Sequence, residues 1–399
     1  MRILLVSDWM KVSGGAERYI VSLRDGLRAR SDNAILVACS AGDTDSRLCD
    51  QRVYGSDFPP AQAFLQIANP AAASQLKKTV RSFKPDVALV SQFAYHFSPS
   101  VFAPLGDIPV VVMMMDYKAI CPLGTRMLRD GSRCLETAGA SCRENHCISL
   151  PHWIRDQPRY FRIRNALSRA ERVICPGSWM KEQFKAAGID AEAVVFGVAD
   201  PPDSFHQRVS AHPRFVYCGR LSQEKGVELL VRAFARFVAD VPHASLRLIG
   251  DGPRRSELEQ MIRKLGIERS VTISGWLGPE GVDSELEGTW ALIAPSLWAE
   301  PFGLAVVEAM MRGIPAVVSD SGAFLETVEQ NVTGLFFESG NEAALVQALR
   351  KIAMQTTFPS GSLSAETVAN VRKRFNLEDH VDRMRSIFSE VAGAKRAYA

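Results

Sequence analysis

Two glutamates, Glu300 and Glu308, bracket the seven residues Pro301-Phe302-Gly303-Leu304-Ala305-Val306-Val307. Carboxylates at this spacing can accept hydrogen bonds from a polyhydroxylated ligand. A residue before proline is pushed out of the helical region, so Glu300 is expected on a loop. Pro301 suits the first turn of a helix, where its missing N–H costs nothing. The N–H groups of that helix start form a site for an anion. Gly303 lets a ligand approach the backbone closely. Phe302, Gly303 and Leu304 offer N–H groups, and Glu308 lies one to two turns further in. Upstream, Trp290-Ala291-Leu292-Ile293-Ala294 reads as a buried strand. Strand, loop and helix therefore bring acidic acceptors and backbone donors together. That combination suits a ligand carrying both hydroxyls and phosphates, as a nucleotide sugar does.

A second segment, Gly219-Arg220-Leu221-Ser222-Gln223-Glu224-Lys225-Gly226, places two cations in a glycine-bounded loop after a strand. Breaking an anomeric C–O bond builds negative charge on the departing diphosphate, and a positive clamp lowers that barrier. Arg220 supplies a bidentate fork and Lys225 a mobile point charge. Taken alone, the pair reads equally well as two solvated surface charges, and Glu300 as a charge favourable to a helix N-terminus. Gly250-Asp251-Gly252-Pro253 and the segment Ser319 to Glu326 are further strand-to-helix turns, and Gly14-Gly15-Ala16-Glu17 follows the first strand.

In this order the segments resemble the retaining glycosyltransferases of family 4, over nearly the whole chain. The resemblance implies an α/β protein of GT-B fold, two Rossmann-like doubly wound domains facing a central cleft. It implies a retaining transfer from a nucleotide sugar to a glycan or lipid-linked glycan, with no cofactor required and internal return as the mechanism usually invoked. Arg220 and Lys225 would grip the diphosphate and, with Glu300, carry catalysis. Glu300 would meet the donor sugar and Glu308 the ribose. Gly14, Gly15, Gly250, Phe302, Gly303 and Leu304 would complete the donor site, with Asp116 and Tyr117 on the acceptor side. One departure matters. The family commonly ends a strand here with His-Asp, whereas this chain has Met115-Asp116. Methionine makes no strong hydrogen bond, which puts the usual sugar contact in question; His96 or His146 would have to reach in instead. The rival expectations are a nucleotide-sugar epimerase, a phosphorylase of related fold, or an inactive GT-B scaffold.

The elements that position these residues can be read from the apolar pattern. Strands are expected near 3–7, 34–39, 87–91, 110–114, 172–175 and 193–196, then 214–217, 245–249, 271–274, 291–294, 316–319 and 334–336. Near-continuous Val, Ile and Leu runs separated by helix-length stretches indicate parallel sheets covered on both faces. The expected organisation is an acceptor-binding domain over 1–198 with a cysteine-bearing insert at 117–150, and a linker at 199–213. A nucleotide-sugar domain follows over 214–376, and a helix over 377–399 is expected to cross back to the first domain.

Composition narrows the class further. Hydrophobic residues make up 47% and charged residues 23%, ordinary values for a globular protein. The formal charge of +3 is too small to suggest nucleic-acid binding. The basic excess falls in the first half and is compatible with an anionic membrane surface. Between His152 and Arg172, Trp153, Tyr160 and Phe161 lie among six arginines, which fits either a membrane interface or an ordinary helix interrupted by Pro158. No apolar run approaches the roughly 20 residues that span a bilayer, and the first strand is too short for a signal peptide. The expected location is therefore cytoplasmic, peripheral at the inner face of the membrane. Asp43-Thr44-Asp45 reads as a surface turn, so no divalent cation is implied. Cys121, Cys134, Cys142 and Cys147 cluster in the insert without a C-x-x-C knuckle. Structural zinc, free thiols and disulfides all remain open for them, disulfides being disfavoured in a reducing compartment and four thiolates fitting tetrahedral zinc.

Overall fold

The computed structural model describes residues 1–8, 15–41 and 47–397; Gly14 and Asp43-Thr44-Asp45 lie outside the described residues. The chain divides into two compact units. The first comprises Met1–Arg129, Cys134–Gly197 and the segment from Leu377 onward; the second comprises Val198–Asn376 with Asp130–Arg133.

In the first unit the strands are β1 (Arg2–Ser7), β2 (Asn33–Cys39), β3 (Gln51–Val53), β4 (Val87–Val90), β5 (Val110–Met113), β6 (Arg172–Cys175) and β7 (Glu192–Ala193). They form one parallel sheet in the order β3-β2-β1-β4-β5-β6-β7. A strand covered on both faces must be apolar throughout. Accordingly Ile3–Val6, Val87–Val90 and Val111–Met113 have no measurable exposure. Two departures from the apolar pattern have local causes. β3 is an edge strand whose Gln51 and Arg52 are exposed, so no apolar run marks it. β7 covers only Glu192–Ala193, because β6 ends at Cys175 and offers nothing beyond it to pair with.

The second unit repeats the plan with β8 (Arg214–Cys218), β9 (Ser245–Ile249), β10 (Val271–Gly275), β11 (Ala291–Ala294), β12 (Ala316–Ser319) and β13 (Gly334–Phe337). Its order is β10-β9-β8-β11-β12-β13, again parallel. Both sheets thus have the Rossmann strand order, which reverses between the first and fourth strands. Helix Val227–Asp240 shows why the layers adhere. Val227, Leu230, Val231, Phe234 and Phe237 recur at helical spacing and are fully buried. The Phe237 ring meets Phe215 of β8 edge-on at 5.5 Å. Each such side chain contributes about 1.5–3 kcal/mol by leaving water.

The last helix, Leu377–Ala397, packs on the first unit through Val381, Met384, Ile387 and Phe388, all fully buried. Arg385 pairs with buried Asp32 at 2.7 Å, and Tyr19 Oη lies 2.6 Å from His380 Nε2. His380 Nδ1 lies 2.8 Å from the Val195 carbonyl, an acceptor only, so Nδ1 donates and Nε2 accepts from the tyrosine. Burial holds this imidazole neutral, lowering its pKa to about 4 despite the Val195 bond. The folded value lies below the ordinary value of 6.5. The neutral ring's contribution is therefore complete above about pH 6.5 and is lost as pH falls towards 4. The expected loss across that window is about 3 kcal/mol. Denaturant midpoints measured against pH should show it in the wild type and should show a shallower fall in His380→Gln. Parallel curves would contradict the assignment.

Candidate active site

In the second unit the loops after β8 and β11 emerge at the strand-order reversal, where open α/β sheets leave a crevice for ligands. Backbone bonds lace these loops together. Leu221 N donates to Asp251 O at 2.9 Å, Arg254 N to Leu221 O at 3.0 Å, and Leu297 N to Glu224 O at 2.9 Å. The approach is close enough to demand glycine. Gly226 has φ +69°, and a Cβ there would stand 1.9 Å from the Pro295 carbonyl oxygen. Gly303 has φ +86°, and its Cβ would strike the Phe324 ring at 2.5 Å. The protein's own packing thus already requires a glycine where a ligand's approach was the expected reason.

This lacing brings Lys225 and Glu300 together. Lys225 Nζ donates to both carboxylate oxygens, at 2.8 and 2.9 Å. Glu300 is 7% exposed. Its Oε2 also accepts from Ser296 Oγ at 2.9 Å and Trp298 Nε1 at 2.8 Å. The ammonium stands 4.8 Å from the centre of the Trp298 ring, within cation–π range. The β12 turn pins the carboxylate's backbone: Ser319 Oγ donates to Ser296 O, Ser321 Oγ to Trp298 O and Ala323 N to Glu300 O, all at 2.6–2.8 Å.

The other expected residues surround this pair. Arg220 is exposed and has no ion-pair partner among the described residues. Gly250 ends β9, its N–H donating to Gly275 O at 2.7 Å. Phe302 is buried against Phe375, ring centres 5.9 Å apart, so its side chain belongs to the core. Helix Leu304–Met311 starts immediately after Gly303. Leu304, Ala305 and Glu308 form its less buried face. The first-turn N–H groups of such a helix precede its internal bonding.

The first unit holds the remaining candidates, apart from Gly14. Gly15 opens helix Gly15–Ala29. Asp116 and Met115 line a small cavity with Ser91, Gln92, Tyr95 and Lys118. Burial raises the Asp116 pKa, opposed by the Lys118 N–H and by the charges of Lys118 and Arg159. Burial lowers Lys118, aided by Arg159. Tyr117 is fully buried, its ring centre 6.4 Å from that of Phe184. Of the two histidines weighed above, His96 is buried and His146 is exposed, and neither lines this cavity. Lys118 does line it, its Nζ donating to Pro122 O at 2.6 Å. Asp8, next to β1, was not singled out in the sequence. It is fully buried and accepts from the N–H groups of Tyr95, His96 and Phe97 at 2.7–2.8 Å. An acid at the end of the first strand was the available signal.

The four cysteines of the insert all lie in the first unit. Cys121 and Cys142 are buried, Cys134 and Cys147 partly exposed, and all four are free. Among the described residues no group of three or more His, Cys, Asp or Glu is arranged to hold a metal ion. Burial, then the neighbouring thiols, pushes Cys147 up; Cys142 is also raised by burial. Hydrogen bonds also hold the insert: Trp153 Nε1 donates to Gly139 O at 2.9 Å and Cys134 N to Arg126 O at 2.8 Å.

Residues 14–199 match the family profile described as glycosyl transferase 4-like domain, and residues 203–373 that described as glycosyl transferases group 1. An uncharacterised glycosyltransferase of Methanocaldococcus jannaschii is 28% identical over 34% of this chain and 35% of its own length. The glycogen synthase of Mycobacterium tuberculosis is 26% identical over 88% of this chain and 86% of its own. Among solved structures, Anabaena HepE in complex with UDP and glucose matches with a TM-score of 0.72 at 20% identity, covering 98% of this chain and 100% of that one.

The glycine requirement gives a direct test of the site's architecture. Gly226→Ala is expected to cost at least about 2 kcal/mol, from left-handed strain and the Pro295 clash. Gly393→Ala, in a helix with open space around it, is expected to be neutral or slightly stabilising. Denaturant midpoints of the two variants decide it; equal midpoints would contradict the packing described.

Proposed function

The chain is a glycosyltransferase of the GT-B fold, and we propose that it moves a sugar from a nucleoside-diphosphate donor, with retention, to a glycan or lipid-linked glycan. The observation that carries the donor half is the Lys225–Glu300 pair at the strand-order reversal, beside exposed Arg220 and the start of helix Leu304–Met311. In this reading the second unit binds the donor. Arg220, Lys225 and the helix N-terminus face the diphosphate, where charge grows as the anomeric C–O bond breaks. Glu300 accepts from sugar hydroxyls and Glu308 from ribose hydroxyls. An acceptor hydroxyl forms the new C–O bond on the same face, and its proton passes to the departing phosphate oxygen. The complexes of Anabaena HepE with UDP and UDP-glucose support a nucleoside diphosphate as the donor's leaving part. Asp116, on the cavity of the first unit, is the acceptor-side candidate.

The same reading places the first unit on an anionic membrane surface, with the acceptor's lipid in the bilayer. Phe58, Phe64 and Phe161 are 67%, 74% and 74% exposed. Phe161 sits among the exposed Arg162, Arg164 and Arg169. Arg162 NH1 also donates to Ile67 O at 3.1 Å, tying this helix to the segment after Phe64. Exposed aromatics beside arginines suit an interface of acyl chains and anionic headgroups. No described helix is long and apolar enough to cross a membrane.

Two experiments test these assignments. Lys225→Ala and Arg220→Ala are each expected to cut turnover at least about a hundredfold with the fold intact, the scale of losing one donor to transition-state charge. Near-normal turnover in either purified variant would remove that residue from the diphosphate site. Sedimentation with phosphatidylglycerol vesicles is expected to retain the wild type, to retain Phe64→Ser/Phe161→Ser at least about tenfold less well, and to fail with phosphatidylcholine vesicles. Indifference to both changes would exclude this face as the membrane contact.

A further inference from the structure

Trp298 has no assigned part in transfer, yet it touches both charged groups of the donor site. Its indole N–H donates to Glu300 Oε2 at 2.8 Å, and its ring lies under the Lys225 ammonium at 4.8 Å. Its own backbone is fixed on two sides. The N–H donates to Glu224 O at 3.3 Å, and the carbonyl accepts from Ser321 Oγ at 2.6 Å. The indole is therefore a braced group between a cation and an anion.

The division of bonds on Glu300 gives this bracing a purpose. Among the described residues Oε1 accepts from Lys225 alone, whereas Oε2 accepts from Lys225, Ser296 and Trp298. A bound diphosphate draws the lysine's charge, and Glu300 then loses both lysine bonds. A carboxylate this little exposed is costly to leave without donors. Ser296 and Trp298 remain, and both hold the same oxygen. Oε1 is thereby released and aimed, ready to accept from a hydroxyl of the ligand. The serine hydroxyl can rotate about its C–O bond, whereas the indole N–H points in a direction fixed by the ring.

We infer that Trp298 is a positioning residue: its N–H holds Glu300 by Oε2 so that Oε1 meets the donor sugar, and its ring face is where Lys225 rests between turnovers. The inference rests on the reading of this site as one for a nucleoside-diphosphate sugar. The two functions are separable. The N–H serves the sugar, and the ring face serves the cation that the diphosphate recruits.

The test compares wild type, Trp298→Phe and Trp298→His. UDP, GDP, ADP and dTDP are first screened by thermal shift on the wild type, and the nucleotide giving the largest shift is carried forward with its glucose conjugate. Trp298→Phe keeps a ring and loses the N–H. It is expected to bind the free nucleoside diphosphate within about twofold of wild type and to release nucleotide from the sugar conjugate at least about tenfold more slowly at saturation, the lower end of the cost of a lost site hydrogen bond. Trp298→His restores an N–H on a ring and is expected to recover part of that turnover. The wild type carries a second readout that survives a misfolded variant: the nucleotide should change tryptophan emission as Lys225 leaves the indole, and Lys225→Ala should lack that change. Trp298→Phe turning over like wild type would overturn the inference. So would equal loss of nucleotide and nucleotide-sugar binding, which marks a merely structural role, or an emission unchanged by a nucleotide that binds. If none of the four nucleotides stabilises the wild type, the nucleoside-diphosphate reading falls first and the inference with it.

Discussion

In each sheet the strand order reverses between the first strand and the fourth, and the chemistry depends on that reversal. Loops after neighbouring parallel strands normally lead to helices on the same face and close over one another. At a reversal they part to opposite faces and leave backbone and side chains facing an opening. In the second unit the parting loops are those after β8 and β11, which carry Lys225 and Glu300. The apolar strands beneath make this opening rigid. Gly226 against Pro295 and Gly303 against Phe324 show how little slack the loops have. The precision of the site is inherited from the sheet, as a preorganised site requires.

The Lys225–Glu300 pair then raises a question of free energy. A pair this dry recovers the cost of desolvation only when its remaining valences are met. Here Ser296, Trp298 and the tryptophan ring meet them, so the Lys225–Glu300 pair is satisfied without a ligand. A donor cannot simply add itself. On the reading proposed above, it exchanges its phosphates for the carboxylate at the lysine and its hydroxyls for the lysine at the carboxylate. Such an exchange is near balance only if both happen together. A nucleotide lacking sugar satisfies the lysine and leaves Glu300 with two donors, whereas a free sugar lacks the anion that draws the lysine away. The pair thus favours a ligand bearing both groups, which is selectivity built from an internal contact.

How much of this could be read from the sequence follows from the physics of each feature. Strands buried on both faces announce themselves, because every position from Ile3 to Val6 or from Val87 to Val90 must be apolar. β3 could not, since an edge strand with Gln51 and Arg52 in water has no such pattern. Helix Leu150–Leu167 runs through Pro158, which suggested an interruption; buried Arg159 and Ile163 show that packing continues past the missing N–H. The loop of Arg220 and Lys225 and the bracket of Glu300 and Glu308 are local patterns and were visible as such. The bond between Lys225 and Glu300 joins residues 75 apart in sequence and follows only from strand order.

The two reversals treat charge differently, and the contrast follows from what each must do. In the first unit Asp8 is sealed off and satisfied by three backbone N–H groups, while burial still raises its pKa. Half-buried Asp116 and Lys118 and buried Arg159 add further charges that oppose or support one another. Here the electrostatics are spent within the fold, holding the turn 95–97 and the cavity wall in place. In the second unit Arg220 is exposed, and Lys225 is bound by a partner that a ligand can replace. A surface that must receive the growing charge of a leaving diphosphate needs cations whose partners can be exchanged. The two reversals thus differ in whether the charges there are already committed within the fold.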